Sequence, residues 1–123
     1  MARNILDENR IHPAIRDYVS RLHSDIVQEV QAAIAANAVV VVGMGINPMP
    51  KKARRLLDAQ GIAHVYLEYG NYFNHWRRRN ALKMWTGWPT FPMVFVKGVL
   101  VGGANDLEKL IASGALAQML ASA

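Results

Sequence analysis

The run Val39-Val40-Val41-Val42 constrains this chain more than any other segment, because four consecutive β-branched apolar residues leave no polar face to turn toward water. Such a strand must be covered on both sides, which places it at the centre of a parallel sheet with helices above and below. The residues that follow fit this. Gly43 to Pro50 is rich in Gly and Pro and reads as a loop, and Asn47-Pro48 reads as an N-cap with proline at the first helical position. A helix is expected from 48 to about 60, ended by Gly61. Residues 63–69 read as a second strand and 74–86 as a basic amphipathic helix. Trp88-Pro89-Thr90-Phe91-Pro92 breaks the pattern. Two strands are then expected at 93–96 and 99–101, joined by the tight-turn dipeptide Lys97-Gly98, and a last helix starts near Asp106.

Upstream, residues 13–36 carry Ile15, Tyr18, Val19, Leu22, Ile26, Val30, Ala33 and Ile34, mostly at helical steps. Pro13 suits a first turn and Ser24 a second N-cap, so two helices meeting near His23 are expected. The order helix, strand, helix, strand, helix, hairpin, helix is a βαβ unit followed by a ββα unit. That is the α/β arrangement of the thioredoxin-like fold: a four-stranded mixed sheet flanked by helices, here with an extra N-terminal helix. The 123 residues, 52% of them hydrophobic, suffice for one core. Residues 1–24 form a helical extension in this reading, and 25–123 the domain proper.

Composition removes several function classes. The sequence has no cysteine, so it offers no disulfide framework, no cysteine zinc site, no protein-ligated iron–sulfur cluster and no nucleophilic thiol. His12, His23, His64 and His75 lack metal-ligand spacing, and no metal is expected. The first residues lack the layout of a signal peptide, and no apolar run approaches the roughly 20 residues that span a bilayer. A cytoplasmic protein without membrane contact is the expectation. The net charge of +5 is concentrated in the middle of the chain. There Lys51, Lys52, Arg54, Arg55, Arg77, Arg78, Arg79 and Lys83 face only Asp58 and Glu68. Such a block suits a carboxylate-bearing small molecule, an acidic protein surface or nucleic acid, and equally an ordinary solvated face. Trp76, Trp85 and Trp88 could stack on bases, but core packing is the simpler account of Trp85 and Trp88, and nucleic acid is not the expected partner.

Over roughly residues 25–116 the chain resembles a glutaredoxin. Trp88-Pro89-Thr90-Phe91-Pro92, then Val96-Lys97-Gly98 and Gly102-Gly103, resemble the monothiol glutaredoxin stretches written WPTFPQ, Y-V-x-G and GG. The departures are equally specific. Where that family writes C-P-Y-C or C-G-F-S, this chain has Asn47-Pro48-Met49-Pro50, so Asn47 stands at the nucleophile position and Pro50 at the resolving one. Met44 stands where the family has a lysine that pairs with the glycine carboxylate of glutathione.

The resemblance implies a cis bond before Pro92, with Phe91 offering its backbone N–H and C=O to an extended cysteinyl backbone, flanked by Thr90. It implies that Gly103 and the start of the last helix receive one carboxylate, Arg79 the other, and Asn105 or Asp106 the amino group. Asn47 is then either a helix cap or a donor to a bound thiol.

Disulfide exchange requires a thiolate, which neither Asn47 nor Pro50 supplies. The leading expectation is therefore a non-catalytic glutathione- or peptide-binding or regulatory module. An enzyme of glutathione-transferase type, using the thiolate of bound glutathione with Asn47 or Tyr18 as donor, is the second. An interaction protein whose basic face meets an acidic partner is the third.

Overall fold

The structure, a computed structural model, describes residues 3–122. A 3-10 turn at Glu8–Arg10 precedes α1 (Pro13–Arg21) and α2 (Ser24–Ala36). Then come β1 (Val39–Gly43), α3 (Pro48–Ala59), β2 (Val65–Glu68), α4 (Trp76–Thr86), β3 (Met93–Val96), β4 (Val99–Gly102), α5 (Ala104–Ser113) and α6 (Ala115–Ala121). The sheet order is β2-β1-β3-β4. β1 runs parallel to β2 and antiparallel to β3, and β3 pairs antiparallel with β4. This is the expected thioredoxin-like arrangement.

The valine run divides its residues between the two faces of the sheet, as a strand must. Val40 and Val42 pack with Ile26 and Val30 of α2, Leu82 of α4 and Phe95 of β3. Val39 and Val41 pack with Ala53 and Leu57 of α3, Leu107 of α5 and Leu116 of α6. Val40, Val41 and Val42 are 0% exposed, and full burial of each such side chain contributes about 1.5–3 kcal/mol. Trp85 belongs to the first layer, stacked on Phe95 with ring centroids 6.1 Å apart. Gly43, the last residue of β1, has no room for a side chain, since a Cβ there would lie 2.8 Å from both Pro50 Cβ and the Tyr66 ring. The first turn of α3 therefore sits directly on the strand end. Lys97 (φ 50°) and Gly98 (φ 79°) both have positive φ, as a two-residue hairpin turn requires.

Several boundaries move for local reasons. The α2 cap is His23 in the left-handed region, and Ser24 is already helical. Helix α4 starts at Trp76 and not at 74, because Asn71 and Asn74 are committed to a turn. In it the Asn71 N–H donates to Asn74 Oδ1 at 2.9 Å and the Phe73 N–H to Asn71 Oδ1 at 2.8 Å. The helix expected to begin near Asp106 is α5, which starts at Ala104, and Asp106 Oδ2 accepts the Gly103 N–H at 3.0 Å. After Gly114 (φ 80°) the chain turns into α6, which periodicity did not separate from α5. The 3-10 turn and α1 bury no residue, and Arg3 Nη2 donates to the Trp85 carbonyl at 3.2 Å.

Candidate functional site

The start of α3, the loop before β3 and the start of α5 converge on an open cleft of about 440 Å³, a volume in the range of small-molecule sites. Asn47 forms one wall. It is the α3 N-cap in extended geometry, its Oδ1 accepting the Met49 N–H at 3.0 Å. Its Nδ2 donates to the carbonyl of Phe91 at 3.3 Å, tying the helix start to the opposite loop. In that loop Thr90 is exposed, Phe91 is buried and the Phe91-Pro92 bond is cis, as the resemblance implied. The carbonyl expected to be free for a ligand is thus already engaged by Asn47.

The third wall is the Gly103 turn and the head of α5. Gly103 supplies no capping side chain, so the first-turn amides of α5 present a positive helix end suited to a carboxylate. The Gly103 N–H itself is taken by Asp106. Asn105 is exposed, and its Oδ1 accepts from Lys52 Nζ at 2.9 Å, the same ammonium lying 3.6 Å from Glu108. Trp88 also lines the cleft, and its buried Nε1–H has no partner among the described residues.

Arg79 is not in this cleft. It is 5% exposed, with Nη1 donating to the backbone carbonyls of Tyr69 at 2.9 Å and Asn74 at 2.7 Å, and burial lowers its pKa from the ordinary value. The cation that does line the cleft is Lys83, one helical turn later, expected from sequence as solvated face. Its Nζ lies 5.8 Å from the Phe91 ring centroid. Met44 lines the cleft but is 6% exposed and belongs to the first core layer, so a lysine there would be largely buried. Pro50 is buried against Gly43. Tyr18, offered as a possible donor, is exposed on α1 and does not line the cleft.

Behind Asn47, the Tyr66 hydroxyl donates to Glu68 Oε1 at 3.0 Å, and Arg54 lies 4.3 Å from the Tyr66 ring centroid. Burial, followed by the hydrogen bond and charge of Glu68, pushes the Tyr66 pKa up to about 12. A phenol that holds its proton more tightly when folded stabilises the fold fully below the unfolded value of about 10. That contribution is lost as pH rises from about 10 to about 12. Urea unfolding from pH 9 to 11.5 is therefore expected to show falling stability, with a shallower fall in Tyr66→Phe; equal slopes would contradict the assignment.

Similarity to known proteins adds to this geometry. The glutaredoxin family model matches residues 48–101. A glutaredoxin-like protein of Dictyostelium discoideum is 46% identical over 102 residues, covering 83% of this chain and 83% of that protein. This chain belongs to the glutaredoxin family. A probable monothiol glutaredoxin 2 of Rickettsia prowazekii is 32% identical over 96 residues, covering 74% of this chain and 87% of that protein. Oxidized glutaredoxin 2 of Chlamydomonas reinhardtii superposes with a TM-score of 0.69 at 27% identity, over 80% of this chain and 92% of that one. A buckwheat glutaredoxin–glutathione complex gives a TM-score of 0.69 at 23% identity, over 81% and 91%, a likeness of fold.

This family member has a cis Phe91-Pro92 bond and the pair Gly102-Gly103, and its sequence has no cysteine. Among the described residues no group of three or more His, Asp or Glu side chains is placed to hold a metal ion, and no helix is long and apolar enough to cross a membrane.

Proposed function

We propose that this glutaredoxin is a binding or regulatory module that holds glutathione, or the cysteinyl segment of a peptide, without catalysing thiol–disulfide exchange. One observation carries the reading: the cis-proline loop, the α5 helix start and Lys83 surround one cleft, and the residue that the resemblance sets at the nucleophile position, Asn47, is an amide. The buckwheat relative of the same fold was crystallised with glutathione, which supports this ligand class. The ligand's extended backbone would take the Phe91 carbonyl from Asn47 Nδ2, the most direct rearrangement the cleft allows. One carboxylate would meet the first-turn amides of α5 and another Lys83.

Titration with reduced glutathione, followed by NMR, is expected to move the amides of Phe91, Gly103 and Asn105 and the Trp88 indole N–H in a saturable way. The same protein is expected to show no glutathione-dependent disulfide reduction above a protein-free control. Unmoved cleft amides at millimolar glutathione would sink the binding reading, and reductase activity the non-catalytic one. Conjugation of glutathione to an electrophilic aryl halide would favour the transferase reading, with Asn47 Nδ2 the group available to donate to the sulfur.

A further inference from the structure

The segment between β2 and α4 is a built turn that, with the first residue of α4, carries three aromatic side chains into solvent. Asn71 and Asn74 close it through the two hydrogen bonds described above and an isolated bridge. The buried Arg79 guanidinium fixes it from below by holding the carbonyls on either side, those of Tyr69 and Asn74. On this support Tyr72 is 59%, Phe73 86% and Trp76 55% exposed. Adjacent large aromatics left in water on a pinned turn are not required by the core, and grouped exposed apolar surface marks interaction sites.

The unpaired charge around the turn is cationic. The nearby carboxylates are already engaged, Asp25 by Arg78, Glu29 by the Tyr69 hydroxyl and Asp106 by the Gly103 N–H, while Arg77, 5.3 Å from the Trp76 ring centroid, and Lys83, in the cleft, have no carboxylate partner among the described residues. Tyr72 belongs to both surfaces, because it also lines the cleft. The aromatic turn is thus continuous with the site where a backbone can pair with Phe91.

We propose that residues 72–77 dock an acidic segment of a partner protein, one that carries an aromatic or aliphatic side chain between its carboxylates. The apolar side chain packs on Phe73 and Trp76, and the carboxylates meet Arg77 and Lys83. Continuity with the cleft favours a polypeptide over a lipid surface, since an extended chain can leave Phe91 across Tyr72 onto the turn. The inference does not depend on glutathione binding.

Panning a cysteine-free random peptide library against the intact protein tests it. Enriched peptides are expected to be acidic and to contain an aromatic or large aliphatic residue, with binding that weakens as salt is raised. The double variant Phe73→Ser/Trp76→Ser is expected to lower their affinity at least about tenfold, and Arg77→Glu to weaken binding and flatten its salt dependence. These side chains are exposed, so circular dichroism and the thermal midpoint should stay close to those of the parent protein. Neutral or basic enriched peptides, no enrichment, or affinity unchanged in the double variant would overturn the proposal. Sedimentation with phosphatidylserine vesicles in place of peptide binding would overturn it in favour of a membrane surface.

Discussion

Asn47→Cys is expected to convert this protein from one with no thiol chemistry into a reactive monothiol. Position 47 caps α3, so a sulfur there would face the unpaired amides of the first helical turn, with Lys51 near the start of the same helix. Both effects favour thiolate, and cysteines in such positions fall from about 8.5 into a range of roughly 3.5–7.5. Alkylation by iodoacetamide at neutral pH should therefore run several-fold faster than for a reference thiol introduced at the exposed end of α5 by Ser113→Cys. With oxidised glutathione the thiolate attacks one sulfur, forming the mixed disulfide and releasing one reduced glutathione as its thiolate. Pro50 offers no second thiol, so only another glutathione can release the adduct. The substitution also removes the cap to Met49, worth about 1 kcal/mol. It frees the Phe91 carbonyl as well. Alkylation no faster than at Ser113→Cys would mean that the helix start does not act on this position, and the cleft would lose its claim to a preserved glutaredoxin geometry.

How far this site could be read from sequence depended on whether a signal was local. The valine run, the Asn47-Pro48 cap and the Lys97-Gly98 turn are local patterns, and each appears where its residue chemistry demands. The cleft residues Asn47, Thr90, Phe91, Pro92, Gly103, Asn105 and Asp106 were named through motifs, and the fold brings them together. What sequence did not give is pairing across the fold. The Asn47 to Phe91 bond joins residues 44 apart, and no periodicity announces it. Met44 reads as loop beside Gly43 and Gly45, yet it turns inward to the layer of Val42 and Phe91. Arg77, Arg78 and Arg79 look alike in a row, and only packing separates them. Arg77 lies over Trp76, Arg78 pairs with Asp25 at 3.1 Å, and Arg79 goes beneath the 70–76 turn. A run of three cations on a helix carries one usable clue, that three consecutive positions fan over about 200° of the helix surface and so meet different surroundings.

Arg79 gives the largest expected loss of stability, and its variants separate a supporting role from a ligand-binding one. Removing the guanidinium in Arg79→Met keeps an unbranched apolar stem but leaves the buried Tyr69 carbonyl without its donor and deprives Asn74 of its own. An unpaired buried polar group costs about 1–3 kcal/mol, and lost packing adds to it, so destabilisation of about 3 kcal/mol is expected by urea unfolding. Arg79→Lys keeps the charge but replaces a planar fork with a single shorter head, and should recover only part of that loss. If Arg79 instead held a ligand carboxylate, Arg79→Lys would leave stability nearly intact and weaken glutathione binding. Lys83→Gln supplies the opposite pattern. Lys83 lines the cleft and makes no salt bridge among the described residues, so stability should change by less than about 0.5 kcal/mol while glutathione affinity falls. An Arg79→Met protein as stable as the parent would remove the support claimed for the aromatic turn. Equal glutathione affinity in Lys83→Gln and the parent would take Lys83 out of the binding site.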